Sequence, residues 1–118
     1  MTSSEIKFVP KGWGFEKWIV NNSEYCGKLL YLVKGKRCSW HYHKIKDETF
    51  YIQSGKVLLK YSDEDDIANA LELVLVPGDK FHIYRGLKHQ IIAIEDTELF
   101  EFSTQHFDHD SNRLIPGD

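Results

Sequence analysis

The sequence predicts an all-β domain built as an antiparallel sandwich or barrel. Short runs rich in aromatic and β-branched residues recur along the chain, at the spacing of roughly 8–12 residues that is typical of such folds. Turn signals that contain glycine or proline separate several of these runs. A length of 118 residues corresponds to one domain, so we expect a single domain over residues 1–118.

Nine strands are predicted along the chain, and most of them are joined by short turns or loops. The first five cover residues 15–20, 28–33, 38–43, 49–53 and 56–61, and Ser54-Gly55 between the last two predicts a hairpin. The other four cover residues 70–76, 80–84, 89–94 and 99–103, with a turn at Pro77-Gly78-Asp79. Residues 63–71 are the one helix candidate, because their acidic start suits a helix N-terminus; a loop turn is the alternative. Residues 105–118 are predicted to be an irregular tail.

Charge and hydropathy exclude several classes of protein. The net charge is −3 and the basic residues form no stripe, so nothing predicts binding to nucleic acid or to an anionic membrane. No apolar run approaches the roughly 20 residues of a membrane span, and residues 1–10 lack the apolar region of a signal peptide. We therefore expect a cytoplasmic protein in which Cys26 and Cys38 are free thiols, with a disulfide between them as the alternative.

Three histidines and one glutamate form the most informative pattern. His41 and His43 are one residue apart on a predicted strand, so their side chains emerge on the same face. A turn over residues 44–47 would return Glu48 to that face, and His89 begins a later strand. Three imidazoles and a carboxylate predict a site for one divalent transition metal, either Zn, Mn, Fe, Ni or Co. The alternative is that these side chains are ordinary surface or half-buried groups.

The glycines around these residues carry a resemblance to a known family. Gly35 precedes the histidine pair and Gly55 follows Glu48, so residues 35–55 resemble the first motif of the cupin superfamily. Residues 77–93 are similar to the second motif, although Tyr84 replaces its usual proline and Ala93 its frequent asparagine. The resemblance implies a double-stranded β-helix, the cupin jelly-roll barrel. It also implies a metal held by His41, His43, Glu48 and His89.

Both ends of the chain resemble a narrower group within the cupins. Gly12-Trp13-Gly14 and the stretch from Glu101 to Arg113 are similar to the entry and closing segments of type II phosphomannose isomerases and sugar isomerases. Lys46-Asp47-Glu48 is similar to the Arg-x-Glu that ends their metal motif. This resemblance implies a metal-dependent aldose–ketose isomerase acting on a sugar or sugar phosphate.

Such a reaction needs a base and groups that hold the substrate. Glu101 and His82 are the candidates for the general base. Lys46, Tyr84 and Arg113 are the candidates for substrate binding, the two cations because they could hold a phosphate or a hydroxyl. The alternative for Lys46 and Arg113 is surface salt bridging, and for His82 a plain barrel-facing or surface position. We expect His106 and His109, in the polar tail, not to be metal ligands.

Two other functions remain open from the sequence. Three histidines and a glutamate also suit an Fe(II)-dependent dioxygenase, and a non-catalytic sugar-binding module would keep the fold without turnover. A homodimer is also predicted, because Trp13, Trp18 and Trp40 are many tryptophans for one small core. The alternative is that these tryptophans line the core or the rim of the cavity.

Overall fold

The computed structural model describes residues 5–118, which form two antiparallel sheets that pack face to face. The strands, in chain order, are β1 (Lys7–Lys11), β2 (Gly14–Asn21), β3 (Cys26–Leu32), β4 (Trp40–Tyr42), β5 (Glu48–Ser54), β6 (Val57–Ser62), β7 (Leu71–Leu75), β8 (Lys80–Ile83), β9 (Lys88–Ala93), β10 (Thr97–Ser103) and β11 (Asn112–Ile115). The larger sheet has the order β1-β2-β3-β10-β5-β8 and the smaller has the order β11-β4-β9-β6-β7.

From β4 onward the chain crosses repeatedly between the two sheets. Strands β5, β8 and β10 belong to the larger sheet, whereas β4, β6, β7, β9 and β11 belong to the smaller one. This exchange is the jelly-roll arrangement of a double-stranded β-helix. The all-β barrel predicted from the sequence is therefore confirmed, and the runs predicted as strands correspond to β2–β10.

The core lies between the two sheets and follows from the alternation of side chains along each strand. In β3 every second residue is buried, and β10 shows the same alternation over most of its length. The buried apolar side chains include Leu30, Leu32, Phe50, Ile52, Val57, Leu59, Ile83, Ile91 and Leu99. Trp13 and Trp40 are also buried, and Trp18 lines the cavity described below, so the tryptophans do not form a surface for association. Homodimer formation stays a prediction, which a molar mass from light scattering would test.

The hairpin predicted between residues 49–53 and 56–61 is wrong. Strand β5 pairs with β8 and β10, whereas β6 pairs with β7 and β9 in the other sheet. The chain therefore turns a corner at Gly55, where φ is +92°, a conformation that glycine adopts without steric cost. The side chain of Thr97 accepts a hydrogen bond from the Lys56 amide at 3.0 Å, so β10 fixes this corner from outside the turn.

The helix and tail predictions also need correction. Only Ile67–Asn69 is helical within residues 63–71, as a single 3₁₀ turn with no buried residue, because that stretch has no apolar face to bury. The predicted irregular tail contains a 3₁₀ turn at Asp108–Asp110 and strand β11, which pairs with β4. Strand β1 was not predicted; it lies at a sheet edge, where its Pro10 is tolerated.

Helical structure is confined to these two short turns within residues 5–118. Neither has the length or the apolar character that a helix needs to cross a membrane. Cys26 and Cys38 are both buried and their thiols are free.

We expect Gly55→Ala to destabilise the barrel more than Gly35→Ala. Both glycines have positive φ, so alanine costs about 1–2 kcal/mol at either position. A Cβ at Gly55 would lie 2.3 Å from the Asp96 carbonyl oxygen and 2.6 Å from Thr97 Cα, whereas at Gly35 it would meet nothing within 4 Å. This steric overlap should lower the free energy of unfolding by about 2 kcal/mol more, and only in the Gly55 variant. Urea unfolding of both variants measures the difference, and equal losses would refute this reading of the corner.

Candidate metal centre

Three histidines converge at one end of the barrel. His41 lies on β4 and is the direct partner of His89 on β9, and His43 follows β4 one pleat further along. One ring nitrogen from each lies within 4.8 Å of the others, close enough to hold a metal ion. His43 and His89 are buried, and His41 is half-buried toward the cavity. The two motifs that were recognised in the sequence therefore meet in space.

Hydrogen bonds fix the orientation of all three rings. Each Nδ1 lies 2.9–3.0 Å from a backbone carbonyl oxygen; the oxygens belong to Ser39 for His41, Asp110 for His43 and Leu87 for His89. Because a carbonyl oxygen only accepts, each Nδ1 carries the hydrogen, and the lone pair of the neutral ring lies on Nε2. This is the arrangement that metal-binding histidines show, with the second nitrogen held by an outer partner.

Glu48 lies beside the histidines as the first residue of β5. Its Oε1 is 3.6 Å from Nε2 of His89 and its Oε2 is 3.6 Å from Nε2 of His43. The side chain is buried, and Lys46 Nζ lies 3.0 Å from Oε2. Burial alone would raise the pKa of Glu48, but the Lys46 ammonium together with His89 and His43 outweighs it and holds the pKa well below its usual range. Glu48 is therefore a carboxylate in the folded protein.

The donor set fits a divalent transition metal. Burial lowers the pKa of His43 to about 4, and burial together with the neighbouring histidines lowers the pKa of His41 well below its usual value. His41 and His43 are therefore neutral at pH 7, as metal ligands must be. Nε2 of His89 is buried and has no hydrogen-bond partner among the described residues. A buried polar atom without a partner is rare, and an ion between the rings would satisfy it.

A row of alternating charges leads from Glu48 along the inside of the larger sheet. Lys46 Nζ contacts Glu48 at 3.0 Å and Glu101 Oε2 at 2.8 Å, and Lys28 Nζ lies 4.0 Å from Glu101 and 3.6 Å from Glu16. Lys28, Lys46, Glu48 and Glu101 are all buried. Burial, followed by the Glu48 charge, raises the pKa of Glu101 despite its lysine neighbours. Lys46 was predicted to hold substrate or to make a surface salt bridge, but it is buried between two carboxylates.

The C-terminal segment supports this site from outside. The Asp110 carboxylate accepts hydrogen bonds from the amides of Lys44, Ile45 and Lys46 at 2.9–3.3 Å, while its carbonyl oxygen holds His43. Asp110 thus shapes the loop that connects the histidine pair to Glu48. His106 also reaches the site, with its Nδ1 3.2 Å from Lys46 Nζ. Sequence reasoning assigned no role to either residue, because it treated the tail as irregular.

The three imidazoles and the charge row line one cavity of about 220 Å³. Apolar walls come from residues such as Trp13, Leu30, Phe50 and Ile91, and the rim carries Lys7, Lys11, Asp108 and Arg113. The volume is below the range of roughly 300–1,000 Å³ typical of drug-sized ligands, so the cavity suits a small polar molecule. Of the residues predicted from sequence, Glu101, Lys46 and Arg113 line this cavity with the four predicted metal ligands.

Two predicted site residues lie elsewhere. His82 is on the outward face of β8, with its side chain 58% exposed and its Nε2 2.7 Å from Asp47 Oδ1. Tyr84 is also exposed, and its hydroxyl donates a hydrogen bond to Asp63. Neither residue lines the cavity. The reason is strand alternation, because Phe81 and Ile83 take the inward positions of this segment.

The chain belongs to the cupin family. The sequence model of the Cupin domain family matches residues 28–102, which include both motifs and all three histidines of the cluster. A comparison with curated protein sequences finds no match.

Solved structures with the same fold are distant in sequence. Oxalate decarboxylase from Bacillus subtilis superimposes with a TM-score of 0.81 at 19% identity, over 93% of this chain and 30% of its own. The capsular polysaccharide assembling protein CapF from Staphylococcus aureus superimposes with a TM-score of 0.82 at 18% identity, over 96% of this chain and 32% of its own. The chain thus spans about a third of each protein. At this identity the likeness establishes the fold.

Proposed function

We propose that this protein is a metal-dependent aldose–ketose isomerase that acts on a small sugar or sugar phosphate. The observation that carries the proposal is that three clustered imidazoles and a buried carboxylate, Glu101, line the same small cavity. The same barrel serves unrelated activities, since an oxalate decarboxylase and a capsular polysaccharide assembling protein share it. The site, and not the fold, therefore has to support the function.

His41, His43 and His89 would hold the divalent ion, and Glu48 would complete the set from β5. When bound, such an ion supplies Lewis-acid polarisation of a substrate carbonyl. The remaining open side of the cluster faces the cavity through His41, the most exposed of the three rings. A small hydroxy-carbonyl compound that enters there would place its reacting carbons next to the charge row.

Glu101 is the base that would move the proton between the two carbons. Its Oε2 accepts the Lys46 hydrogen bond at 2.8 Å, while Oε1 has no hydrogen bond within residues 5–118. The pKa of Glu101 is raised by burial and by Glu48, which brings it closer to the range in which a carboxylate accepts and returns protons at neutral pH. His82, the other base predicted from sequence, lies outside the cavity, so the structure favours Glu101.

Proton exchange at the sugar C2 position in D₂O tests this activity. We expect metal-loaded protein to exchange that proton in at least one member of a panel of small aldoses, ketoses and their phosphates. Glu101→Gln should slow exchange by about 100-fold or more, since a general base contributes roughly 10²–10⁴. Glu98→Gln is the matched control because Glu98 lies on the outward face of the same strand. Exchange at the wild-type rate in Glu101→Gln would remove Glu101 from the mechanism.

A dioxygenase is the second candidate, supported by the apolar wall beside the imidazoles. Trp13, Phe50 and Ile91 would suit a less polar substrate than a sugar, and three histidines also suit Fe(II). Oxygen consumption by the iron-loaded protein, without C2 exchange under anaerobic conditions, would favour this candidate. Saturable sugar binding with neither reaction would indicate a binding module.

A further inference from the structure

We propose that the outer face of the larger sheet is the interface of a homodimer, in which two copies of this chain pack these faces against each other. Six aromatic side chains from five neighbouring strands define this outer aromatic face: Phe8, Phe15, Tyr31, Tyr51, Phe100 and Phe102. They point outward, because the residues that alternate with them along each strand line the core or the cavity. The proposal is independent of the isomerase activity, since this face lies on the side of the sheet opposite to the cavity.

The outer aromatic face is continuous across the strands. The ring centre of Phe15 lies 4.9 Å from that of Phe8 and 5.2 Å from that of Tyr31. Leu29 is the next outward residue of β3 after Tyr31, and it is the direct partner of Phe100 on β10. Scattered apolar residues are normal on a protein surface, whereas a contiguous apolar patch of this kind marks an interaction site.

The two sheets differ in what covers their outer faces. In the smaller sheet, Trp40 takes an outward position, since His41 beside it faces the cavity, yet Trp40 is fully buried. Its Nε1 donates a hydrogen bond to the Asp65 carbonyl oxygen at 2.8 Å, so the loop between β6 and β7 lies over this part of the sheet. Within residues 5–118 no segment lies over Phe8 and Phe102 of the larger sheet in the same way, and they are 56% and 55% exposed.

The area of the outer aromatic face is close to what a stable dimer needs. Phe8 and Phe102, with Tyr25 at the border of the face, are 55–57% exposed. An aromatic side chain covers roughly 150–250 Å², so these three leave about 300 Å² accessible. Ile19, which is 43% exposed, and the half-buried rings bring the total to on the order of 600 Å². A standard interface buries about 800 Å² on each partner, which the face and its polar border can supply.

The shape of the face suits a second copy of the same chain. Gly27 takes an outward position of β3 without a side chain, and Ile19, Tyr25 and Phe102 surround it to form an apolar groove of about 360 Å³. Along β3, Gly27 and Tyr31 lie two residues on either side of Leu29. A two-fold axis that crosses β3 at Leu29 therefore places Tyr31 of each copy over the groove of the other, as a self-complementary interface requires.

Two charged side chains, Lys17 and Glu98, also point outward on this sheet. Lys17 Nζ lies 5.9 Å from the centre of the Phe15 ring, and Glu98 accepts a hydrogen bond from the Ser54 hydroxyl at 3.1 Å. Both side chains thus lie along the sheet. A long lysine stem can add apolar contact while its ammonium stays in water at the border, so neither charge has to be buried in the dimer.

Sedimentation equilibrium at several protein concentrations tests the interface. We expect the wild-type protein to have twice the mass of one chain, and the mass should persist in 1 M salt on the order of conditions that screen ion pairs, because the contact is apolar. Phe102→Glu should raise the dissociation constant at least about 100-fold, since it places a charge in the apolar interface. Gly27→Leu should raise it at least about tenfold by filling the groove.

Leu71→Glu is the matched control for Phe102→Glu. Leu71 is 63% exposed on β7, an edge strand of the other sheet, so its replacement should leave the dissociation constant unchanged. Gly27→Leu should fold normally, because a Cβ there meets only Val20 Cγ1 at 3.4 Å. Circular dichroism and cooperative unfolding of each variant verify the fold.

Four results would overturn the proposal. A wild-type protein that stays monomeric at every concentration would do so, and binding of that monomer to phosphatidylcholine vesicles would assign the face to a lipid surface. A dimer that tolerates both Phe102→Glu and Gly27→Leu would have its interface elsewhere. Dissociation by Leu71→Glu alone would place the interface at the edge of β7. Stronger association of Gly27→Leu than of wild type would indicate nonspecific apolar contact, because added apolar surface would then help.

Discussion

We expect the wild-type protein to retain about one metal ion per chain, and the double variant His41→Ala/His43→Ala to retain none. His41 and His43 supply two of the three clustered ring nitrogens, and His89 with Glu48 would remain as two donors. Structural and catalytic sites of transition metals in proteins use three or more protein ligands, so a two-donor remnant should bind too weakly to survive dialysis. Elemental analysis after dialysis against buffer with trace metal measures the content, which we expect to fall below about a tenth.

His82→Ala is the matched control for this experiment. His82 has the same side-chain chemistry but lies on the outward face of β8 beside Asp47, so its removal should leave the metal content unchanged. Circular dichroism and a cooperative unfolding transition would verify that the double variant is folded. Full metal content in a folded double variant would refute the proposed centre. Loss of metal in both variants would indicate nonspecific binding to surface histidines.

Lys46→Met should destabilise the protein by about 3–5 kcal/mol at pH 8, although it replaces a charged side chain with an apolar one of similar length. Lys46 lies between Glu48 at 3.0 Å and Glu101 at 2.8 Å, and all three are buried. Removal of the shared cation leaves two buried carboxylates, with only Lys28 near one of them at 4.0 Å. Removal of one partner of a buried ion pair lowers the stability by about 3–5 kcal/mol, because the remaining buried charge has no partner. Urea unfolding of the two metal-free proteins measures the loss, because a bound ion would compensate the charge of Glu48.

The loss should shrink as the pH falls. Burial and Glu48 already raise the pKa of Glu101, and the absence of Lys46 raises it further. A carboxyl group whose pKa is raised on folding costs stability above that pKa, and the cost disappears when the group is protonated. The gap between wild type and Lys46→Met should therefore be smaller at pH 5 than at pH 8. Lys46→Met/Glu101→Gln should recover part of the loss, and a gap that does not depend on pH or on Glu101 would contradict this account.

The strands could be predicted from the sequence because apolar residues recur at alternate positions within each one. In β3, for example, Cys26, Leu30 and Leu32 occupy alternate positions and all are buried. The pairing of β5 and β6 could not be predicted, since Ser54-Gly55 has the local chemistry of a hairpin turn but joins two different sheets. Contacts with Asp96 and Thr97, more than forty residues away in sequence, decide the direction of the chain at that point.

Part of the row of alternating charges that leads from Glu48 could have been predicted from the sequence. Lys28 interrupts the alternation of apolar residues in β3 at a position that faces the core, and Glu101 does the same in β10. A charged residue at a buried position requires a partner of opposite charge, so the two strands could have been expected to pair there. In the structure Lys28 and Glu101 are direct cross-strand partners. By contrast, nothing near Asp110 in sequence indicated that it would hold the loop of residues 44–46.

By itself the sequence determined the β-class of the fold and the cupin membership, and it predicted the four residues of the candidate metal centre, because these depend on local periodicity and on short spacings between glycines and ligands. Only the tertiary structure decided which other side chains lie beside the three histidines and their cavity. It brought Glu101, Lys46, Asp110, His106 and Arg113 to the histidines and left His82 and Tyr84 outside. The reason is that membership of a cavity depends on pairing between distant strands, such as β11 with β4, and on the inward or outward position of each residue within its strand.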